Sequence, residues 1–336
     1  MNVAIHNSQA GFHPRWVRYC QERSIPYKLV DCHANDIIQQ LGDCKALMWH
    51  HHQDNPKELL FAKQLLFSLE QAGMRVFPDY NTAWHFDDKL GQKYLLEAVK
   101  APFVPSYVFY DEKEALNWVD GTRFPKVLKL RGGAGSASVR LVNTRSEAKM
   151  LIGRAFGRGF TQYDPWSNLS ERWRKYRLGK TNAWDVAKGI VRLAHPPVYS
   201  TIKGPDRGYV YFQDFIPGND FDIRVIVIGD KAFAIKRLVR KNDFRASGSG
   251  DIRYEKENFR DELIKLSFAI NKKIKSQSLA LDYVFDNGEP KAVEISYGFT
   301  PEGYDPCAGY WDKNLNWHEE KFDPYGWMVE DLLKEI

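Results

Sequence analysis

The chain has 336 residues, of which 43% are hydrophobic, and it carries a formal net charge of +5. This length allows a sizeable core shared among two or three domains, and no apolar run reaches the roughly 20 residues that a membrane span requires. Four cysteines are too few for a disulfide scaffold, and the N-terminal stretch lacks the pattern of a signal peptide. A cytoplasmic location is therefore expected.

The first 80 residues alternate short apolar runs with amphipathic stretches, which is typical of a parallel sheet covered by helices. Strands are predicted at VAI, YKLV, ALMW and RVF, and PKELLFAKQLLFSLEQAG has helical periodicity. A further helix is predicted over residues 82–99, followed by a linker that contains Pro102 and Pro105. The predicted fold class is α/β, with an α+β central region where the pattern changes to antiparallel pairs.

Three histidines, His50, His51 and His52, follow the predicted strand ALMW at an edge where open α/β sheets bind ligands. Consecutive strand residues point to opposite faces, so three in a row cannot all bind one ion without a loop. Packing or solvent exposure is favoured here over substrate contact, and substrate contact over a metal site.

The segment RGGAGSAS, residues 131–138, is rich in glycine and joins two predicted strands. Its backbone N–H groups can approach phosphate oxygens closely, because glycine has no side chain in the way. It matches neither the Walker pattern nor a Rossmann loop, since a strand follows it. It predicts a flap over a nucleotide, and Lys129 on the entering strand is placed to meet a phosphate; a surface lysine is the alternative.

Positive charge is concentrated between residues 151 and 210. This block holds eleven Lys or Arg against four Asp or Glu, with tyrosines and tryptophans between them. Such a surface suits an anionic glycan, a phosphorylated substrate, a membrane surface or nucleic acid, and a solvated helical face is the alternative.

Two arginines follow in the next antiparallel region. GYVYFQDFI is a predicted strand, and DIRVIVIGDKAFAIKRLV is a predicted hairpin that turns at Gly229 and Asp230. Arg237 and Arg245 flank a segment that ends in NDFRASGSGD, and arginine suits bidentate binding of phosphate or carboxylate groups. Helices are predicted over residues 258–275 and 325–336.

The segment LALDYVFDNGEPKAVEIS predicts a hairpin that directs carboxylates at a metal ion. With a three-residue loop that begins at Asn287, Asp282 lies directly opposite Glu294, and Ser296 shares their face. Two facing carboxylates repel unless a cation lies between them, and hard oxygen ligands suit Mg²⁺ that carries nucleotide phosphates. A solvated polar face is the alternative, since a register shift of one residue separates the carboxylates.

A glycine-rich flap, a lysine, two arginines and a carboxylate hairpin, in this order, describe a site that moves a phosphoryl group from ATP. The order resembles the ATP-grasp superfamily, most closely its ribosomal-protein glutamate ligase and glutathione synthetase-like carboxylate–amine ligases. The likeness covers most of the chain and is carried by VYFQDFIPGNDFDIRVIVIGDKAFAIKRLVRKNDFRASGSGD, LDYVF and VEIS. It implies an ATP-grasp fold preceded by an N-terminal parallel-sheet domain.

The resemblance also implies a nucleotide site. Lys89, in HFDDK, and Lys129 match the two ATP-contacting lysines of the superfamily. The other implied nucleotide-binding residues are Gly132, Gly133, Ala134, Gly135 and Ser136 of the flap, Gln213, Asp214, Phe215 and Ile216 around adenine, and Asp222 on the ribose side.

The implied catalytic residues are Arg237 and Arg245, which would bind the transferred phosphate or a substrate carboxylate. Asp282, Glu294 and Ser296 would hold Mg²⁺, with Mn²⁺ as an alternative ion. The superfamily usually ends this motif in Glu-x-Asn, whereas this chain has serine at the last position. Since a hydroxyl is a weaker ligand, weaker binding of a second metal ion is predicted.

The resemblance divides the chain into three parts: a pre-ATP-grasp domain (1–82), a central subdomain with the flap (83–208), and a C-terminal subdomain with the adenine hinge and the metal hairpin (209–336). A basic aromatic insertion at about 151–208 is longer than that branch usually carries, and substrate choice is expected to reside there. Relatives of this kind are commonly dimers.

The implied reaction joins a carboxylate to an amine through an acyl phosphate and releases ADP. ATP and small-molecule or glycan substrates are the expected partners, with nucleic acid ranked below them. For the two joined groups, a uronic-acid sugar or glycan precursor with an amino acid is ranked first, then a peptide tail, then a small amino acid. A kinase acting on a hydroxyl and a non-catalytic, nucleotide-regulated binding protein are the alternatives.

Overall fold

The computed structural model describes residues 2–8, 10–53, 55–133, 138–161, 165–177, 181–194, 204–239, 245–246 and 250–334. Within these ranges the chain forms a four-stranded N-terminal sheet, a four-stranded central sheet and a seven-stranded sheet that carries the C-terminal half. None of the helices in these ranges has the length and apolar character needed to cross a membrane.

The N-terminal sheet is parallel throughout, as predicted. Its strands are β1 (Asn2–His6), β2 (Tyr27–Val30), β3 (Cys44–Met48) and β4 (Arg75–Phe77), in the order β2-β1-β3-β4, with helices α1 (His13–Glu22), α2 (Ile37–Gln40) and α3 (Pro56–Gln71). Both faces of the sheet are buried: Ala4 and Leu47 pack on one side, while Val3 and Ile5 pack on the other. This arrangement confirms the α/β class.

The helix predicted over residues 82–99 is interrupted, so that prediction was wrong. The structure has α4 (Tyr80–Ala83) and α5 (Lys89–Ala98) instead. Between them Asp87 adopts a positive φ of 54°, and the side chain of Asp88 accepts a hydrogen bond from the Gly91 N–H. This new N-cap places Lys89 in the first turn of α5.

The central sheet is antiparallel and carries the predicted flap. It consists of β5 (Ser106–Phe109), β6 (Lys126–Lys129), β7 (Val139–Val142) and β8 (Val210–Asp214) in the order β5-β8-β6-β7. Helices α6 (Glu112–Gly121) and α7 (Arg145–Phe156) cover one face through a shared apolar core that includes Leu128 and Phe212. The glycine-rich segment connects β6 to β7, as expected.

In its described residues, the basic insertion has helices α8 (Pro165–Arg177) and α9 (Ala183–Ala194), which pack against each other. Gly189 allows the close approach, because a Cβ there would lie 2.9 Å from Arg172 Cδ. Arg172 also forms an ion pair with Asp185 of α9. The tryptophans point outward: Trp166, Trp173 and Trp184 are 71%, 52% and 68% exposed.

The seven-stranded sheet provides the floor of the site. Its strands are β9 (Phe221–Ile228), β10 (Lys231–Leu238), β11 (Ile252–Arg253), β12 (Ser278–Asp286), β13 (Glu289–Ser296), β14 (Tyr310–Asp312) and β15 (Trp317–His318), in the order β13-β12-β9-β10-β14-β15 with β11 on β10. Helix α10 (Asp261–Ile274) packs on one face, where Val225 and Leu281 are buried, and α11 (Pro324–Lys334) closes the C-terminal half. The opposite face of the sheet is turned toward the N-terminal domain.

The β12–β13 hairpin has a different turn from the predicted one but the predicted pairing. Asn287 and Gly288 have φ values of 51° and 85°, which favours a two-residue loop rather than a three-residue one. The register shifts by one residue between Asp282 and the next pair, so Val293 is an unpaired extra residue. This β-bulge restores the pairing of Asp282 with Glu294 that the longer loop was expected to give.

Candidate active site

A cavity of about 930 Å³ lies among the N-terminal loops, the central sheet and the seven-stranded sheet. This volume is at the upper end of about 300–1,000 Å³ for ligand pockets and gives room for a nucleotide and a second substrate. The predicted site residues that line it are Lys89, Lys129, Gly133, Gln213, Asp214, Phe215, Ile216, Asp222, Arg237, Arg245, Asp282, Glu294 and Ser296. Gly132 is not part of the lining, and Ala134, Gly135 and Ser136 fall outside the described residues.

Two buried lysines connect the flap to the carboxylate hairpin. Lys89 Nζ donates to the Gly133 carbonyl at 3.0 Å and lies 3.4 Å from Glu294 Oε1. Lys129 Nζ donates to the carbonyl of the bulge residue Val293 at 3.0 Å. Burial lowers the pKa of Lys129 to about 8, although the Glu294 carboxylate opposes this shift. An anion that binds beside a desolvated ammonium of this kind stabilises its charged form.

The base of the flap is fixed to the start of α5. Gly133, with a φ of 98°, donates its N–H to Asp87 Oδ1 at 2.6 Å, and its carbonyl also accepts from Ser138 Oγ at 3.0 Å. The Lys89 N–H donates to the Arg131 carbonyl at 2.8 Å. These hydrogen bonds join Lys89 to the base of the flap at the edge of the cavity.

The floor of the cavity is a lattice of arginines and carboxylates. Glu294, Asp282 and Arg224 lie in register across β13, β12 and β9. Arg224 donates from Nε and Nη2 to the two oxygens of Asp282, both at 2.5 Å. Arg237 donates to both oxygens of Asp222 at 2.6 Å, and its Nη2 is 3.0 Å from Asp282 Oδ1.

The arginines set the charge states of these carboxylates. Burial acts to raise the pKa of Asp282, but the guanidiniums of Arg224 and Arg237 outweigh it and hold that pKa below its ordinary value. For Asp222 burial prevails over Arg237, and its pKa is raised. The predicted repulsion between the facing carboxylates is therefore relieved by the chain's own cations, including Lys89 beside Glu294.

The donor set fits one Mg²⁺ better than two. The Glu294 side chain is 35% exposed to the cavity, whereas both oxygens of Asp282 already accept hydrogen bonds from Arg224. Ser296 Oγ donates to the Gly298 carbonyl and accepts from the Gly298 N–H, both at 3.1 Å. Carboxylate oxygens are the ligands that Mg²⁺ prefers, and Glu294 is the carboxylate with room for an ion.

The expected adenine end lies along β8. Gln213 is buried, and its Nε2 donates to Ser106 Oγ at 3.0 Å. The Asp214 carboxylate accepts a 2.5 Å hydrogen bond from Lys126, its register partner on β6. Lys126 and Lys129 are three positions apart on a strand, so their side chains point to opposite faces and Asp214 is directed away from Lys129.

His51 has a different environment from His50 and His52, whose ring centroids lie 4.6 Å apart. His51 packs inward, where its carbonyl accepts from Tyr297 OH at 2.9 Å and its ring contacts Phe86. His50 and His52 line the cavity at its N-terminal-domain end. In the described part of the chain, a different group, His6, Asp31 and His33, has its potential metal-ligand atoms within 4.8 Å of one another.

Three site residues had no strong signal in the sequence. Arg224 is on the same strand face as Asp222 by the period of two, but its pairing with Asp282 depends on β9 lying beside β12. Lys126 has the pattern of an ordinary strand residue, and its pairing with Asp214 depends on β8 lying beside β6. Gln92, one turn after Lys89, is buried and accepts a hydrogen bond from the Ile295 N–H at 3.3 Å.

Solved ATP-grasp structures match nearly the whole chain. An ATP-grasp protein with a RimK domain from Sphaerobacter thermophilus is 14% identical with a TM-score of 0.58, over 99% of this chain and 100% of that chain. D-alanine–D-alanine ligase from Bacillus anthracis, complexed with ATP, is 13% identical with a TM-score of 0.59, over 100% and 99%. The ATP-grasp ligase PsnB, complexed with a minimal precursor, Mg and ADP, is 14% identical with a TM-score of 0.55, over 99% and 97%.

Neither a protein-family model nor a curated protein matches the sequence. The structural likenesses nevertheless cover both chains almost completely, and they confirm the predicted ATP-grasp fold. At this level of identity they carry the fold, while the activity has to be argued from the site.

Proposed function

We propose that the chain is an ATP-dependent ligase that joins a carboxylate to an amine and releases ADP. The observation that carries this proposal is the convergence of Lys89, Lys129, Glu294 and the two arginines Arg224 and Arg237 on one cavity large enough for two substrates. The positive charge of these side chains would neutralise a phosphoryl group that moves between ATP and a carboxylate. Electrostatic stabilisation of that kind supplies most of the catalysis in phosphoryl transfer.

The nucleotide would lie between the flap and the seven-stranded sheet. Residues 213–216 would hold adenine through backbone groups, because the Asp214 carboxylate is engaged by Lys126. Lys89 and Lys129 would neutralise the phosphates, and Asp222 would reach the ribose only by sharing its oxygens with Arg237. Glu294 would hold Mg²⁺, with Asp282 and Ser296 as weaker contributors; the ion would offset the phosphate charge.

The substrate carboxylate would lie beside the arginines. Arg237 and Arg245 line the same cavity, and Arg224 adds a guanidinium that the sequence did not reveal. They would neutralise the acyl phosphate and the tetrahedral intermediate formed when the amine attacks. No protein nucleophile is required in this chemistry, since the carboxylate is activated by phosphorylation.

The ranking of the proposed substrates is based on the surface of the insertion that carries α8 and α9. Its exposed tryptophans stand among basic residues, a combination that can stack on sugar rings and attract acidic groups. A uronic-acid sugar or glycan precursor joined to an amino acid ranks first, and a peptide tail or a small amino acid follows. On this fold, PsnB has been solved with a precursor peptide, and D-alanine–D-alanine ligase takes its name from a small amino acid.

A nucleotide-regulated binding protein is the second candidate. The observation in its favour is the double engagement of Asp282 by Arg224 and Arg237, together with Ser296 turned onto Gly298. Both features reduce the oxygen ligands available to a second metal ion. A kinase acting on a hydroxyl would use the same nucleotide half of the site.

ADP release from Mg²⁺-ATP is expected only when a carboxylate and an amine are both present. The test panel is amino acids, uronic acids and sugar nucleotides, with wild type, Glu294→Ala, and Glu289→Ala as a matched control at the exposed end of the same strand. Glu294→Ala should lose at least about 100-fold in rate, because removing one transition-state contact typically costs 10²–10³.

Other outcomes of this assay separate the candidates. A phosphorylated product formed without amine would establish the kinase instead. Tight ATP binding with no stimulated release on any pair would favour the binding protein. Equal loss in Glu289→Ala would show that the hairpin, rather than the Glu294 carboxylate, is responsible.

A further inference from the structure

The cavity ends at the N-terminal domain in a small histidine pocket, formed by His50, His52, Gly11 and Gly298. This end lies at the carboxyl edge of the parallel sheet, where His50 follows β3. The phosphate-binding side chains of the proposed function are on other elements, so the histidine pocket is available to a second substrate.

The proton on the His50 ring is assigned by one hydrogen bond. The Phe12 N–H donates to His50 Nδ1 at 3.1 Å, so this nitrogen must carry a lone pair. The neutral ring then has its hydrogen on Nε2. Stacking of the ring on Phe12, with centroids 3.8 Å apart and planes within 16°, holds that orientation.

The surroundings keep His50 neutral. Burial lowers its pKa well below the ordinary value, and the neighbouring rings of His52 and His51 lower it further. Protonation on Nδ1 would also break the bond from Phe12. In the described part of the chain, no lysine, arginine or carboxylate is among the groups that act on this ring. His50 is thus an uncharged hydrogen-bond donor rather than a base or a cation.

Two glycines let the backbone pack closely against the imidazole rings. A Cβ on Gly298 would lie 2.8 Å from His50 Nε2. A Cβ on Gly11, which has a φ of 71°, would lie 2.3 Å from His50 Nδ1 and 2.9 Å from His52 Nε2. The His52 Nε2 is itself buried and without a hydrogen-bond partner among the described residues. Among the described residues, His52 Nε2 is sealed in this way and His50 Nε2 is not, so the cavity offers a ligand atom the His50 nitrogen.

Resting on the proposed ligase function, we propose that the histidine pocket is the subsite for the amine substrate and that His50 donates from Nε2 to an uncharged oxygen of that substrate. The accepted amine then carries an amide carbonyl, an ester or a hydroxyl rather than a free carboxylate near its nitrogen. A carboxylate in this pocket would have no described cation acting beside it, and burying an unpaired charge is costly. Uncharged surroundings also favour the neutral, nucleophilic form of the amine.

Ring-¹⁵N NMR on histidine-labelled protein tests the assignment directly, without turnover. The His50 signals, identified by their loss in His50→Gln, are expected to show the Nε2–H form unchanged from pH 5 to pH 8. With Mg²⁺ and a non-hydrolysable ATP analogue present, glycinamide and alaninamide should shift the Nε2–H signal, whereas glycine and alanine should not. A ring that titrates near pH 6.5, an Nδ1–H form, or a response that is absent or equal for the two members of each pair would overturn the proposal.

Steady-state kinetics with a productive amine tests the role of the donor. His50→Leu removes it, Gly298→Ala places a methyl against it, and His50→Gln keeps an N–H near the Nε2 position. His50→Leu and Gly298→Ala are expected to raise KM for the amine about 10–100-fold and to leave KM for ATP within about twofold of wild type. His50→Gln should bring KM for the amine most of the way back to the wild-type value.

The outcomes distinguish this inference from the proposed function. Wild-type ligation with unchanged amine KM in His50→Leu would overturn the subsite and leave the ligase standing. Absence of ligation by wild type would count against the ligase, while the NMR measurement would still decide whether the pocket takes uncharged oxygen ligands.

Discussion

Replacing Asp282 with asparagine is expected to lower the free energy of unfolding of the metal-free protein by about 3–5 kcal/mol, the usual cost of breaking a buried ion pair. Asp282 is buried and accepts hydrogen bonds from Arg224 at 2.5 Å, with Arg237 at 3.0 Å. Asparagine keeps the shape but removes the charge, so the two guanidiniums face each other across an uncompensated position. Urea unfolding followed by tryptophan fluorescence in the presence of EDTA measures the loss.

Glu294→Gln is the matched control, because it removes the facing carboxylate of the same pair of strands. Its partner Lys89 lies at 3.4 Å and the Glu294 side chain is 35% exposed, so the loss of stability should stay within about 1 kcal/mol. In Glu294→Gln, the free energy of Mg²⁺-dependent ATP binding should nevertheless decrease by more than the free energy of unfolding does. If Asp282→Asn unfolds at the wild-type urea concentration, the arginines do not depend on this carboxylate and the lattice described for the floor of the cavity is wrong.

The affinity for ATP is expected to be constant below pH 8 and to fall above it. Burial lowers the pKa of Lys129 to about 8, so the free protein carries an ammonium below that pH and a neutral amine above it. Phosphates bind the ammonium and raise its pKa in the complex. Binding therefore takes up a proton above pH 8, and the Kd should rise by up to about tenfold per pH unit until the pKa of the complex is reached.

Isothermal titration in two buffers of different ionisation enthalpy measures both the Kd and the proton uptake. Lys129→Met should bind ATP more weakly below pH 8 and should lack the uptake. Lys126→Met, on the same strand but paired with Asp214 on the other face, should retain it. Proton uptake that persists in Lys129→Met would assign the titration to another group.

The local elements of the site were predictable from the amino-acid sequence. The Asn287-Gly288 turn signal predicted the β12–β13 hairpin, and the glycine-rich segment after Lys129 predicted a loop between strands. The period of two and the preference of glycine for positive φ act within a few residues of the chain. The parallel N-terminal sheet followed in the same way from its alternation of apolar runs and amphipathic helices.

Which charged side chains meet depends on how distant segments of the chain pack together. Arg224 reaches Asp282 because β9 lies beside β12, and Lys126 reaches Asp214 because β8 lies beside β6. His50 meets Gly298 because the segment after β13 shares an apolar core with the N-terminal sheet. Strand order and domain packing are fixed by burying apolar faces far apart in sequence, and no local pattern reports that balance. The Val293 bulge has the same origin. Strand β12 pairs with β9 on one edge and with β13 on the other, and the bulge keeps Asp282 opposite Glu294 although the turn has only two residues.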